Sequence, residues 1–462
     1  MTAPKDENLK ANTTDDRDLL RLGYNPVLRR TMRNFASFAL FFSVIGVDIS
    51  IFSEFGYSLS ESGPASALIF LLAGALQVVV ALAIAELISA YPLAGGAYQI
   101  TSQIRKGAVS WFVGWFVMIG LVASIATNSS TVPLYIGPAF GIKVPSYSQT
   151  LLIGLILIVA VTAINLLGTR FSAFVNNIGA ICEMLGLSIV VILLLAKGVI
   201  HPISFLGSTE RQGHPTEYFL PFLLGFILPV YMINAFDSSG HTGEETINAS
   251  VVAPRATVLA AAASYVYGAI AMIVLVLSIT KYSTIVGSST PVTAIVDARL
   301  GNVVKDGFTV VVLVSFFVAT QMLELTAARV IWAQARDRRF VADHFMTRLN
   351  RLRVPYVATL LVAVFAVILL LYSHGLAVLG AMVGLAFALA YGVALVYGVY
   401  GKRKRLVPAH PWHYGKMGWA ITGIGIAASI LGAVIMVLSG PGSVGKGMLA
   451  AFIIGLVFYA AM

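Results

Sequence analysis

The stretch NAFDSSGHTGEETINAS (residues 234–250) follows directly on an apolar run, Tyr218 to Ile233, and sets Asp237, His241, Glu244 and Glu245 where that run should continue. In a water-soluble chain this would be an ordinary helix end. Here the 462 residues are 58% hydrophobic and only 11% charged, with a mean hydropathy of +0.89, against about one quarter charged in soluble domains. Ionisable groups inside a bilayer cost at least about 2.5–3.5 kcal/mol each and are usually functional. Two readings of the stretch stand open. Either a spanning helix continues and Asp237 pairs with a neighbouring span, or the chain unwinds there and lines a watery cavity.

Twelve apolar runs approach the ~20 residues that carry a helix across hydrocarbon. Long runs rich in Leu, Ala and Gly suit helices, which satisfy their own backbone in lipid, whereas a barrel needs short alternating segments. The fold class is therefore all-α integral membrane, with about 12 spans. The expected organisation is a cytosolic tail over residues 1–34, largely disordered, five helices over 35–200, five over 218–400, and two over 417–462. The last run, Gly447 to Met462, has only 16 residues and no basic cap, as in a truncated chain or a short tilted span. The first 34 residues show no cleavable signal.

The net charge of +10 raises nucleic-acid binding as an option, and the placement of the basic residues removes the need for it. With the N-terminus inside, 23 of the 30 Lys and Arg fall on the cytosolic side. That asymmetry predicts a multi-pass protein of the cytoplasmic membrane with both termini cytosolic. Six of those arginines lie between Arg336 and Arg353, a loop expected to rest near anionic headgroups. The strings Asn-x-Ser/Thr at Asn12 and Asn128 read as chance, the second falling inside a predicted span.

Six acids fall within the runs: Asp48, Glu54, Glu86, Glu183, Asp237 and Glu324. Asp48 lies near mid-bilayer in the first run and Asp237 late in the sixth, each beside Ser residues and a helix-weakening pattern: Gly46 with β-branched neighbours in one, Asn234, Ser238, Ser239 and Gly240 in the other. Helices one and six lead two halves of five, the positions at which inverted-repeat transporters break their helices. Glu244 and Glu245 are then expected at the cytosolic mouth, as solvated charge or as a gate with Arg105, Arg255 or Arg329. His241, Glu244 and Glu245 have a spacing a metal could use, but no further His or Cys is near, so no metal is expected.

Five stretches carry a resemblance: AELISAYPLAGGAYQ (85–99), WFVGWFVMIG (111–120), INLLGTRFSAFVNNIG (164–179), residues 234–256, and ARVIWAQARDRRF (328–340). In this order they resemble the amino acid-polyamine-organocation superfamily, most closely its amino acid and choline transporter branch, which includes GABA and choline permeases. The resemblance implies two inverted five-helix repeats plus two helices, with substrate held between the breaks of helices one and six. It implies secondary transport by alternating access, with no enzyme chemistry and no cofactor. Asp48-Ile49-Ser50-Ile51-Phe52 correspond to the break in helix one and Asn234-Ala235-Phe236-Asp237 to that in helix six, with Phe236 at the aromatic position that caps the substrate.

Asp48 and Ser50 replace glycines of the family pattern, and an Asp facing a substrate carboxylate would repel it. An amine-headed solute, with a distant carboxylate or none, is therefore expected. Glu183 and Glu324 are candidate proton carriers, or else each is a neutral hydrogen-bonded helix contact or a pair with Arg329. The expected function is proton-coupled import of a small amino acid or amine, GABA being one possibility. The alternatives are an exchanger or uniporter for choline, ethanolamine or a polyamine and, in a different class, a sensor or channel.

Overall fold

The computed structural model describes residues 13–137, 145–208, 222–223, 225–372, 376–439 and 442–462. The expected tail before residue 13 and most of the run from Tyr218 to Leu224 lie outside the described residues. In chain order the helices are α1 Thr14–Arg21, α2 Asn34–Ile45, α3 Val47–Ser62, α4 Ser66–Ala90, α5 Gly96–Ile104, α6 Ala108–Ile136, α7 Tyr147–Leu166 and α8 Thr169–Ala196. They continue with α9 Ile227–Met232, α10 Ser238–His241, α11 Ala249–Leu277, α12 Tyr282–Val286, α13 Pro291–Leu300 and α14 Asn302–Arg336. The last five are α15 Asp343–Met346, α16 Tyr356–Tyr372, α17 Leu376–Arg403, α18 Met417–Ser439 and α19 Gly442–Ala460. Strands are absent among the described residues, where one isolated bridge joins Met32 to Thr246.

Eight helical stretches are long and apolar enough to cross a membrane, and two shorter apolar helices join them. The first stretch, Asn34–Ala90, has 57 residues. At about 1.5 Å per residue it would run some 85 Å, nearly three times the ~30 Å of hydrocarbon, so it holds two crossings. Ile156, Ile192, Val364 and Val457 are among many large apolar side chains left exposed, as a lipid-facing belt requires. The chain is a multi-pass membrane protein.

The two interruptions differ in kind. In the first run only Gly46 leaves the helix, at φ 55° and ψ 72°, a left-handed conformation that glycine adopts without steric cost. Its N–H still bonds to Phe42 and its carbonyl to Ser50 N–H, both at 2.9 Å. In the sixth run residues 233–237 are unwound, with Ala235 at φ 49°. The carbonyls freed there are taken up locally: Asn234 Nδ2 donates to Val230 and Tyr231, and Ser238 donates its N–H (3.0 Å) and Oγ (2.5 Å) to Ala235. The half-helices meet pairwise, α2 against α10 and α3 against α9, inside a ring that includes α6, α14 and α17.

Three expectations need correction. Residues 48–52 are helical, in the opening turns of α3, and the break lies at Gly46. Residues 13–33 are not disordered but packed on the bundle, because α1 and the strand-like turn after it find buried partners there. The last span is α19, 19 residues long and starting at Gly442, because Lys446 interrupts the hydropathy near its start without breaking the helix. Trp111 and Trp115 are packing residues, stacked at 5.3 Å, with Trp115 Nε1 donating to Ala451 of α19 at 2.9 Å.

Candidate functional site

The two breaks face each other across a void of about 10 Å3, lined by Gly46, Ile49, Ser50, Ser124, Asn128, Tyr231 and Asn234 with Ala319 and Leu323. This is room for about one water, so in this conformer the half-helices are closed together. Asn128 donates from Nδ2 to Thr320 Oγ1 at 3.1 Å, while its Oδ1 is buried with no hydrogen-bond partner among the described residues. An unpartnered acceptor in a buried cleft suits an incoming N–H donor.

Of the nine residues expected at the breaks, Ile49, Ser50 and Asn234 line this void. Ile51 and Ala235 are buried in the surrounding core. Phe52 packs edge-on against Tyr135 at 5.3 Å, and Tyr135 Oη donates to the Phe52 carbonyl at 2.9 Å. Phe236 stacks on Tyr391 with ring centroids 4.5 Å apart, so its face is already covered. Gly46 was legible as the weak point of the first run, whereas Ser124, Asn128 and Tyr231 escaped the sequence reading as site residues. Asn128 had a signal, a carboxamide within an apolar span, whereas Ser124 and Tyr231 resemble many others in this chain.

Asp48 points from the void toward α8. Its carboxyl lies beside that of Glu183 and the hydroxyl of Ser315. Glu183 Oε1 accepts the Val47 N–H at 3.1 Å, and Asp48 Oδ1 accepts the Ile49 N–H at 2.7 Å. Asp48 Oδ2 and Glu183 Oε2 have no donor among the described residues, and both side chains are fully buried. Two bare carboxylates in contact repel, and one proton held between them removes the repulsion. The first-turn N–H groups of α3, the positive end of that half-helix, are thus occupied by the protein's own acids.

Asp237 lies on the side of the void toward the arginine-rich loops. Its Oδ1 accepts Tyr391 Oη at 2.6 Å and its Oδ2 accepts the Ala97 N–H at 3.2 Å. His241 Nε2 stands 3.0 Å from Oδ2 without the alignment of a hydrogen bond. Further toward that side, Glu244 accepts both Arg336 Nη1 (2.6 Å) and the Ala94 N–H (3.0 Å), and Glu245 accepts Arg329 Nε at 2.8 Å. Arg329 also donates from Nη2 to Thr169 Oγ1 at 3.0 Å. The expected pairing of Glu245 with Arg329 is present. Arg336 takes the other acid, a role assigned to neither Arg105 nor Arg255 by the geometry.

The segment before α2 covers this mouth. Thr31 and Met32 donate their N–H groups to the Glu245 carbonyl at 2.9 and 3.0 Å, and Asp15 accepts the N–H groups of Asn248 and Ala249 at 2.7 and 3.0 Å. Tyr24 lies under the Arg336 guanidinium at 4.1 Å and donates to Asp337 at 3.1 Å. Burial and the Asp337 carboxylate push its phenol well above the usual tyrosine range, which keeps the donor proton in place.

Glu324 is elsewhere. It accepts Thr162 Oγ1 at 2.5 Å and Asn165 Nδ2 at 2.7 Å, tying α14 to α7, and it does not pair with Arg329. Glu86 pairs with Lys402 at 2.7 Å, and Glu54 lies buried against Gly380. No cluster able to hold a metal occurs among the described residues.

Comparison with known proteins bears on the chain as a whole. The amino acid permease family model matches residues 34–459. An uncharacterized amino-acid permease of Schizosaccharomyces pombe is 28% identical over 89% of this chain and 79% of its own length. The amino-acid permease BAT1 of Arabidopsis thaliana is 24% identical over 87% of this chain and 84% of its own. A Candida albicans protein provisionally named a polyamine transporter is 27% identical over 90% of this chain and 81% of its own.

Proposed function

The chain belongs to the amino acid permease family and is a membrane transporter rather than an enzyme; from that premise we propose that it imports a small amino acid or amino-acid-like amine, GABA being one candidate, by proton-coupled alternating access in the cytoplasmic membrane. The observation that carries this reading is the closed void at the two breaks, with an unpartnered amide oxygen on one wall and the Asp48–Glu183 pair behind another. An ammonium group entering between the half-helices meets acceptors and buried acid. A proton shared by Asp48 and Glu183 is displaced or retained according to how far the half-helices separate, and this ties proton movement to the solute step.

A second reading has its own support. The Val47 and Ile49 N–H groups, which could otherwise hold a substrate carboxylate, are taken by Glu183 and Asp48. This favours a cation with no carboxylate, such as choline, ethanolamine or a polyamine, moved by exchange or uniport.

One assay separates them. In proteoliposomes, uptake of labelled GABA should rise with an inward proton gradient, and Glu183→Gln should abolish that response while leaving counterflow exchange within about threefold. Gradient-insensitive uptake removes the coupling. Inhibition by choline or putrescine, with none by amino acids, transfers the assignment to the second reading.

A further inference from the structure

On the arginine-rich side, the turn between α7 and α8 borders a cavity of about 420 Å3 that the transport reading does not use. Arg29, Arg170 and Arg353 line it, and no acidic residue does. Arg353 reaches the Val27 carbonyl at 3.3 Å. None of the three guanidinium groups has an ion-pair partner among the described residues, although this chain pairs Arg30, Arg329 and Arg336 with acids a short distance away. The Thr31 hydroxyl on the same wall is buried without a hydrogen-bond partner. The N-terminus of α8, which follows Gly168 at φ 106° and has no side-chain cap, opens into the cavity as well. The three guanidinium groups, the Thr31 hydroxyl and the first N–H groups of α8 can all donate to an anion.

The other half of the site is apolar. Phe171 and Phe174 line the cavity and are 42% and 60% exposed. The same face of α8 continues through Ile178, Ile181 and Leu185, all exposed. These residues recur every three or four positions, one stripe of a helix. From Phe171 to Leu185 the stripe is about 21 Å long, more than the ~15 Å of one leaflet's hydrocarbon. A soluble anion would leave that stripe unused, whereas a two-part ligand fills both regions.

We propose that this cavity binds the phosphate headgroup of an anionic glycerophospholipid, with an acyl chain laid along the exposed stripe of α8. The lipid bridges three separate pieces of chain: the segment before α2 through Arg29, the start of α8 through Arg170, and the loop before α16 through Arg353. It thereby braces the mouth that Glu244, Glu245, Arg329 and Arg336 close. The inference is independent of what the transporter carries.

The test is native mass spectrometry of the intact, detergent-purified protein titrated with phosphatidylglycerol or phosphatidylcholine. Phosphatidylglycerol should be retained at least tenfold more strongly. Arg170→Gln and Arg353→Gln should each weaken its retention about fivefold, the weight of one basic side chain at an anionic surface, without changing phosphatidylcholine adducts. Phe174→Ser, which leaves the charge intact, should also weaken it, and 10 mM inorganic phosphate should not displace the lipid. Equal retention of the two lipids overturns the proposal, as does retention unchanged in both arginine variants. Displacement by inorganic phosphate overturns it too, making the cavity a simple anion site. Should one arginine variant fail to fold, the other and Phe174→Ser decide.

Discussion

Single atoms set the limits at the two breaks. Gly46 and Gly96 both have left-handed backbones, at φ 55° and 48°, so either loses about 1–2 kcal/mol when a Cβ is added. Their surroundings then separate them. At Gly46 the nearest atom to a new Cβ is the flexible end of Ile49, at 3.0 Å. At Gly96 it is His241 Cε1 at 2.5 Å, with Asp237 Oδ2 at 2.7 Å, and Asp237 is pinned by Tyr391 and Ala97. Overpacking adds roughly 1–3 kcal/mol. Gly96→Ala is therefore expected to lower the thermal midpoint clearly more than Gly46→Ala in the same detergent, and an equal drop would mean that the Asp237 cluster yields freely. Glu324 belongs to this scale too. Its two hydrogen bonds join α14 to α7 rather than reach the void, so Glu324→Gln is expected to keep uptake within about threefold and to leave its proton dependence unchanged. Loss of that dependence would restore Glu324 as a carrier.

At the scale of elements, the unwound sixth run was legible because Asn234, Asp237, Ser238 and Gly240 crowd polarity and backbone freedom into a few residues. The first break was misplaced by two residues. Gly46 was legible as a weak point of that run, but family correspondence set the break on residues 48–52, whereas the physical requirement was one residue able to take positive φ, which Gly46 meets. The order of residues 13–33 was not legible at all. Composition marks the segment as polar, and nothing local reveals that Asp15 will cap α11, more than two hundred residues away. That cap is itself testable. A charge-assisted cap of this sort contributes about 1 kcal/mol, so Asp15→Ala should speed amide exchange at Asn248 and Ala249 about fivefold, with exchange in the middle of α11 unchanged. Unaltered exchange at those two amides would show the segment to be a passive covering.

Over the whole molecule, the pieces add up to a transporter shut on the side of its arginines. Residues as distant as Tyr24, Glu244 and Arg336 converge there, and the void behind them has room for only about one water. The alternating access proposed above requires this closure to be reversible, and buried ion pairs suit reversal because they are costly to leave half made. Removing one partner strands the other charge away from water, at about 3–5 kcal/mol, while replacing both can be nearly neutral. The stranded charge is relieved when the mouth opens and water enters. With Ser124→Cys as a reporter on the void wall and Cys182→Ala as background, Arg336→Gln or Glu244→Gln alone should raise labelling by an impermeant thiol reagent, applied from the arginine-rich side, on the order of tenfold or more. The double variant should fall back most of the way, since neither charge is then left unpaired. Purely additive acceleration would mean that Arg336 and Glu244 close the mouth through separate contacts; no acceleration in either single variant would place the barrier to opening elsewhere, in the packing of α2 against α10 or in the covering segment itself.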